Sequence, residues 1–274
     1  MNRFLEKDFQ PEDNNQLKVI VALHKQYRVK QDSVYLPVQV GTSAANQDMG
    51  YQRDDQGQSI SQKNTLYCEL TGLYWAWKNL PAEALGIVHY RRYLGHPSRH
   101  RPWIDRWEQI ATGKELEQML EETQIILPKK RNYVIESRED QFIHAHGKTA
   151  MDVLRMVMKE RSSQYLPAFE RTMRRTSGHI FNMFVMRRDL CDAYCTWLFD
   201  TLFEVEAFMR KNMPQEIKPR LFGYLAERML DCWIETNGYS YTELPVVNIE
   251  KQNWLKKGTA FLMRRFGLNG SKCK

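Results

Sequence analysis

Hydrophobic and polar positions fall into two repeating kinds of segment along this chain. Short apolar runs rich in β-branched residues alternate with longer stretches of helical spacing. Leu17-Lys18-Val19-Ile20-Val21-Ala22-Leu23 reads as a central strand and breaks into the polar His24-Lys25-Gln26-Tyr27. Tyr35 to Val40 is a second strand, in which Pro37 cannot donate to a ladder and so favours a sheet edge. Gly86-Ile87-Val88 is a third, breaking into His89-Tyr90-Arg91-Arg92-Tyr93. Residues 124–128 and 180–186 give two more buried strands, and residues 241–248 are extended.

Between the runs, Leu66, Leu70, Leu73, Tyr74 and Trp77 lie at helical spacing behind Asn64, a capping residue type. Gly72 inside that helix weakens it and implies a close approach by another element. Further helices are expected over residues 114–122 and 151–160, after Arg187-Arg188-Asp189, and near Pro219, where Leu221, Leu225, Met229 and Trp233 form a buried stripe. Residues 41–61 are polar, and a loop of that length in a compact domain is usually functional or disordered. Strands alternating with helices predict an α/β fold, a mostly parallel sheet flanked by helices.

Length and composition bound the function. The 274 residues suit one large domain or two small ones, and 42% hydrophobic with 27% charged residues is globular. No apolar run reaches the ~20 residues of a bilayer span, and residues 1–15 lack the apolar stretch of a signal peptide. Five cysteines with no CxxC spacing suit a reducing cytoplasm. The net charge is +7, but residues 250–274 hold seven basic residues against one acidic, which leaves the other 249 residues at +1. A nearly neutral body with a basic tail argues against a broad nucleic-acid face and for one local anionic contact.

Candidate chemistry collects where strands end, because open α/β sheets bind ligands outside the carboxyl ends of their strands. There Arg91 and Arg92 can make forked hydrogen bonds to phosphate. His89 can carry a proton, and Tyr90 and Tyr93 can stack on a base or sugar. Asp54 and Asp55, in the long loop, can bind a divalent cation or sugar hydroxyls, or form a plain solvated turn. His144 and His146 share a face only on a strand and have no third ligand nearby, so they make a poor metal site.

Three segments resemble one family. They are VIVALHKQY with YLPVQVG; GYQRDDQGQSISQKNTLYCELTGLYWAWKNL leading into GIVHYRRYL; and GHIFNMFVMRRDLCDAYCTWLFDTLFEVE with PRLFGYLAERML. The family is that of bacterial glycosyltransferases of capsule, exopolysaccharide and O-antigen assembly, some of them galactofuranosyltransferases. The resemblance spans most of residues 17–247, in the family's order. It implies a GT-A-like, Rossmann-related domain over residues 17–249, after a polar segment 1–16 and before a tail 250–274. It also implies a nucleotide-sugar donor, UDP-linked, and a lipid-linked glycan acceptor at the inner face of the cytoplasmic membrane.

GT-A enzymes commonly end a central strand in Asp-x-Asp, which holds a metal. Here the comparable strand ends in HYRRY, so arginine is expected to neutralise the leaving diphosphate, with magnesium or manganese on Asp54 and Asp55 as the alternative. On this reading His24, Tyr27, Asn64, His89, Tyr90 and Tyr93 belong with the two arginines to the donor site. Asp54, Asp55 and Glu69 hold sugar hydroxyls, and Asn182 lies on the acceptor side. Glu227 is the first candidate for general base and Asp55 the second, although Glu227 is equally a surface ion on a helix. In the tail, Trp254, Lys256, Lys257, Phe261, Arg264 and Arg265 combine bulky apolar groups with cations, the pattern of an interfacial helix on an anionic membrane. The rival readings are a non-catalytic module for anionic glycan or lipid and an RNA-binding protein, the latter disfavoured by the neutral body.

Overall fold

The structure, a computed structural model, describes residues 16–44 and 47–250. Strands β1 (Leu17–Leu23), β2 (Tyr35–Gln39), β3 (Gln52–Arg53), β4 (Ala84–His89), β5 (Arg92–Leu94), β6 (Ile125–Pro128), β9 (Phe184–Arg187), β10 (Thr242–Leu244) and β11 (Val246–Asn248) form one sheet. Two short strands, β7 (Arg131–Asn132) and β8 (Ser177–Gly178), pair apart from it. The main order is β10-β6-β9-β4-β1-β2-β3, with β5 and β11 attached beside β4. Only β9 and β5 run against the other strands, so the sheet is mostly parallel.

The helices are α1 (Asn64–Tyr67), α2 (Leu70–Asn79), α3 (Arg106–Gln109), α4 (Gly113–Glu122), α5 (Arg138–His146), α6 (Thr149–Arg161), α7 (Leu166–Arg174), α8 (Arg188–Asn212) and α9 (Leu221–Asn237). Strand β1 is apolar on both sides because both faces are covered. Its Ile20 and Ala22 join the core under α2, α8 and α9, while Val19, Val21 and Leu23 join the smaller core that includes Leu116 and Leu120 of α4. Gly72 is where α2 crosses the sheet, since a Cβ there would stand 2.8 Å from Val40 Cγ1. Gly86, mid-strand, would place a Cβ 2.9 Å from the Phe184 carbonyl oxygen, so side-chain-free backbone is what lets β9 approach β4. Helix α4 opens with a capping box between Thr112 and Glu115.

Several sequence expectations change. Pro37 is not in the outermost strand, but β3 pairs only with Val38 and Gln39, so the ladder beside Pro37 stays open on that side. Asn64 does not cap one long helix. It begins α1, and the chain breaks at Cys68 (φ 53°) before α2. The Asn64 amide bridges the break by donating to the Cys68 carbonyl oxygen and Thr71 Oγ1. Pro219 lies before α9, which starts at Leu221 behind a left-handed Arg220. The strand expected over 180–186 covers only Phe184–Arg187, because Phe181 (φ 76°) and Asn182 (φ 51°) form a left-handed turn. His144 and His146 sit on helix α5, not on a strand. The tail residues Trp254, Lys256, Lys257, Phe261, Arg264 and Arg265 lie outside the described residues, as does nearly all of segment 1–16. Among the described residues no helix is long and apolar enough to cross a membrane.

Candidate active site

Parallel strands β1 and β4 finish together, Ala22 facing His89 in the ladder. Strand β9 runs the other way, so its leading turn, Phe181-Asn182, reaches the same edge. Helices α1 and α9 close the space in front. The result is a cavity of about 500 Å³ whose wall includes His24, Asn64, Cys68, Glu69, His89, Tyr90, Arg91, Arg92 and Arg220. A larger cleft of about 810 Å³ lies at the opposite edge, where β1 and β4 begin, and is lined by Glu83, Glu117, Glu121 and Arg187 among others. The carboxyl-edge cavity is the better candidate for chemistry, since it gathers the cations and perturbed groups and lies where such sheets bind ligands.

Each wall residue has an identifiable support. His89 Nε2 lies 2.5 Å from the Phe181 carbonyl oxygen and ties the end of β4 to the left-handed turn. Tyr90 is buried, and its ring meets Tyr27 edge-on at 5.0 Å and His24 at 5.4 Å. His24 is held below the ordinary imidazole range by desolvation and then by Lys25, Arg91 and Arg220. It is therefore neutral at physiological pH and can accept a hydrogen bond. Arg91 Nε pairs with Glu250 Oε1 at 2.8 Å, and the Tyr27 hydroxyl donates to the same oxygen at 3.3 Å. Among the described residues Arg92 has no carboxylate partner of this kind. Its guanidinium lies 4.5 Å from the centre of the Phe181 ring, and desolvation lowers its pKa without threatening its charge.

Two carboxylates face this group. Glu69 is on the wall and accepts from Asn182 Nδ2 at 2.7 Å. Glu227, on α9, accepts from the Phe181 backbone N–H at 3.1 Å, and its side chain is 15% exposed. Burial and then the neighbouring Glu69 charge raise its pKa, against the opposing influence of Arg228. The strained turn at 181–182 thus delivers an amide to each carboxylate. It is anchored from behind by a buried chain in which Arg138 Nη1 meets Asp231 at 2.6 Å, Asp231 meets His179 Nδ1 at 2.5 Å, and His179 Nε2 meets Glu243 at 2.9 Å. Sequence reading missed this network, because its members are scattered over more than a hundred residues and share no motif.

The structure moves three expected site residues elsewhere. Asp54 is wholly buried away from the cavity. It accepts from the N–H groups of Gly41 and Thr42 and from the hydroxyls of Thr42, Ser61 and Thr71, at 2.5–3.1 Å. Asp55 is held by the Arg53 fork at 2.7 and 3.1 Å, which keeps its carboxyl below the usual range. Asp54 is thus engaged by five donors, while Asp55 is paired with Arg53 and its side chain is 22% exposed. Among the described residues no group of three or more His, Cys, Asp or Glu side chains is arranged for a metal. Tyr93 is fully buried against Tyr35 and Trp107, because alternation along β5 turns it to the other face of the sheet from Arg92. Tyr27 stands behind Tyr90, Asn182 behind Glu69, and Glu227 behind Phe181.

The comparison with curated proteins gave no match. A solved structure described as the WbbM bifunctional glycosyltransferase in its apo form is similar at a TM-score of 0.77 and 27% identity, over 86% of this chain and 46% of that one. The chain therefore spans less than half the length of that neighbour. The model of a family described as a domain of unknown function, DUF4422, matches residues 18–238. With a match across most of its length, the chain belongs to the DUF4422 family.

Proposed function

We propose that this protein is a glycosyltransferase of the hexosyltransferase class, with a GT-A-like fold. It moves a sugar from a UDP-linked donor to a lipid-linked glycan in bacterial surface polysaccharide assembly, working at the inner face of the cytoplasmic membrane. The observation that carries the reading is the juxtaposition, in one cavity, of a guanidinium and a carboxylate, Arg92 and Glu69. The neighbour's description as a glycosyltransferase supports the same class.

In the proposed reaction an acceptor hydroxyl attacks the anomeric carbon of the donor. A new C–O bond forms as the bond from that carbon to the diphosphate breaks. The hydroxyl proton passes to a carboxylate, and the electron pair of the broken bond leaves on the diphosphate, where Arg92 and Arg91 neutralise it. Glu69, on the wall, receives the proton, and Glu227 stands behind it as the second member of a like-charged pair. His24, Tyr90 and Asn64 line the nucleotide side.

The test is a thermal-shift and product-release screen of nucleotide sugars on the purified protein. A donor that binds the folded state raises the melting temperature and yields free nucleoside diphosphate when acceptor is added. Failure of every nucleotide sugar on both counts overturns the reading.

Two predictions arise here. Glu69→Gln lowers transfer by roughly 100-fold or more while donor binding persists, as expected for loss of a general base. Burial raises the pKa of Glu227 from its ordinary value. A raised folded-state pKa means Glu227 favours the folded state most at low pH and loses that contribution as pH rises through the folded value. Glu227→Gln therefore keeps or raises the melting temperature at neutral pH, and a large drop counts against the assignment.

The second prediction concerns metal. Since guanidinium takes the place of the usual strand-end carboxylate pair, transfer in excess EDTA is expected to persist at least in part. Complete loss, restored by magnesium or manganese, would return the leaving-group role to a metal.

A further inference from the structure

We infer that Arg220, working with Arg92, forms the clamp that grips the two phosphates of the donor. This inference rests on the transferase reading and adds a residue 128 positions away from the strand-end motif.

The three guanidiniums on the cavity wall are held in two different ways. Arg91 lies 4.9 Å from the centre of the Tyr90 ring and is in addition paired to a carboxylate, Glu250, at 2.8 Å. Arg92 and Arg220 are each laid against an aromatic ring, at 4.5 Å over Phe181 and 5.0 Å over Tyr224. A stacked guanidinium is fixed in orientation but keeps its N–H edge open, which is the state suited to a forked phosphate contact. Among the described residues neither Arg92 nor Arg220 forms a carboxylate ion pair. The wall as a whole carries three arginines against the single carboxylate of Glu69.

The backbone under Arg220 is built to hold it there. Its φ of 69° lies in the left-handed region that residues other than glycine rarely adopt. Its N–H donates to the Thr65 carbonyl oxygen at 2.8 Å, and Thr65 is itself on the wall. Behind the guanidinium, Tyr224 is stacked on His146 at 4.2 Å, and His146 rests on Phe142 at 5.0 Å. Burial, helped by Arg228, Lys218 and Arg220, holds His146 down to about 4, so the ring behind the clamp is uncharged at working pH. The Cys68 thiol, pushed up to about 11 by burial, stays neutral beside Arg220 and does not compete for it as thiolate. A strained residue that keeps a cation on a cavity wall with no anion of its own fits storage of strain at a binding site.

The test is calorimetric titration of UDP, uridine and inorganic pyrophosphate into the full-length protein and its Arg220→Gly and Arg220→Lys variants. Glycine relieves the left-handed strain, so the fold survives loss of the side chain. UDP and pyrophosphate are expected to bind roughly 10-fold or more weakly to Arg220→Gly, as for loss of charge-assisted hydrogen bonds, with uridine unchanged. Arg220→Lys restores only part, because an ammonium lacks the fork. Wild-type binding of UDP with undiminished affinity in Arg220→Gly overturns the clamp and leaves the transferase reading standing. Equal loss of uridine and UDP overturns it too, since the residue would then be shaping the wall. A wild-type protein that binds neither UDP nor pyrophosphate overturns both.

Discussion

Replacing Arg92 by alanine leaves a folded protein whose transfer rate is lower by roughly 100-fold or more. Both halves of that result follow from its surroundings. Among the described residues the guanidinium forms no carboxylate ion pair, and the lost contact is a ring face of Phe181 at 4.5 Å. Such an exposed-edge stacking contributes about 1 kcal/mol or less to stability. The leaving diphosphate, by contrast, loses a donor that strengthens as the bond breaks, and such donors dominate this kind of catalysis. Arg91→Ala is the informative partner. It removes a cation but also frees Glu250 and Tyr27 from their shared contact, so its loss is smaller and its melting temperature shifts more. The measurement is kcat/KM for donor beside a thermal melt. Near-normal turnover in Arg92→Ala would take the leaving-group role from this residue.

Asp54→Ala should cause the largest stability loss among these variants, about 4 kcal/mol, the upper end for a single substitution, because five donors lose a buried acceptor together. At a few degrees per kcal/mol for a chain of this size, the melting temperature falls by about 10 °C. The carboxylate fastens the turn at Gly41 and Thr42 to Ser61 and to Thr71 on α2. Its loss therefore loosens the whole 41–61 loop, and donor affinity declines only as a consequence. Asp55→Ala removes one surface contact with Arg53 and costs about 1 kcal/mol or less. If Asp54→Ala melts like the wild type but no longer binds donor, the carboxylate belongs to the site after all.

This pair marks where the sequence could be read and where it could not. Short continuous apolar runs flanked by glycine or polar breaks located β1, β4 and β6, since a strand covered on both faces must be apolar throughout. Polar residues at the ends of β1 and β4 drew attention to His24, His89, Tyr90 and the two arginines, which line one cavity in the structure. Asp54 and Asp55 look alike in sequence, yet one is sealed and the other only part-buried, because the partners of Asp54 come from Gly41, Ser61 and α2, which no local pattern brings together. Tyr93 was misplaced for a simpler reason, that one step along a strand changes the face. The turn at 181–182 was hidden inside an apolar run that looks continuous, as left-handed Phe and Asn have no sequence signal comparable to glycine. Arg220 had a faint signal, Pro219 just ahead of a helical stripe, but nothing in that stretch says the side chain turns toward β4.

The place of β9 in the sheet also decides how this protein must be made. Strand β4 pairs with β1, some sixty residues earlier, and with β9, about a hundred later. Among the described residues, strand β6 pairs with β9 and β10 alone. A nascent chain that has not yet emerged past Arg187 therefore presents one side of β4 and both sides of β6, including Ile125, Ile126 and Leu127, with their ladder bonds unmade. Such non-local pairing is slow, and open apolar edges recruit other chains meanwhile. Synthesis rate and chaperone supply will set the yield of this protein more than the stability of the finished fold. Expression as two halves cut between β6 and β9 should give insoluble fragments that recover only when both are present together.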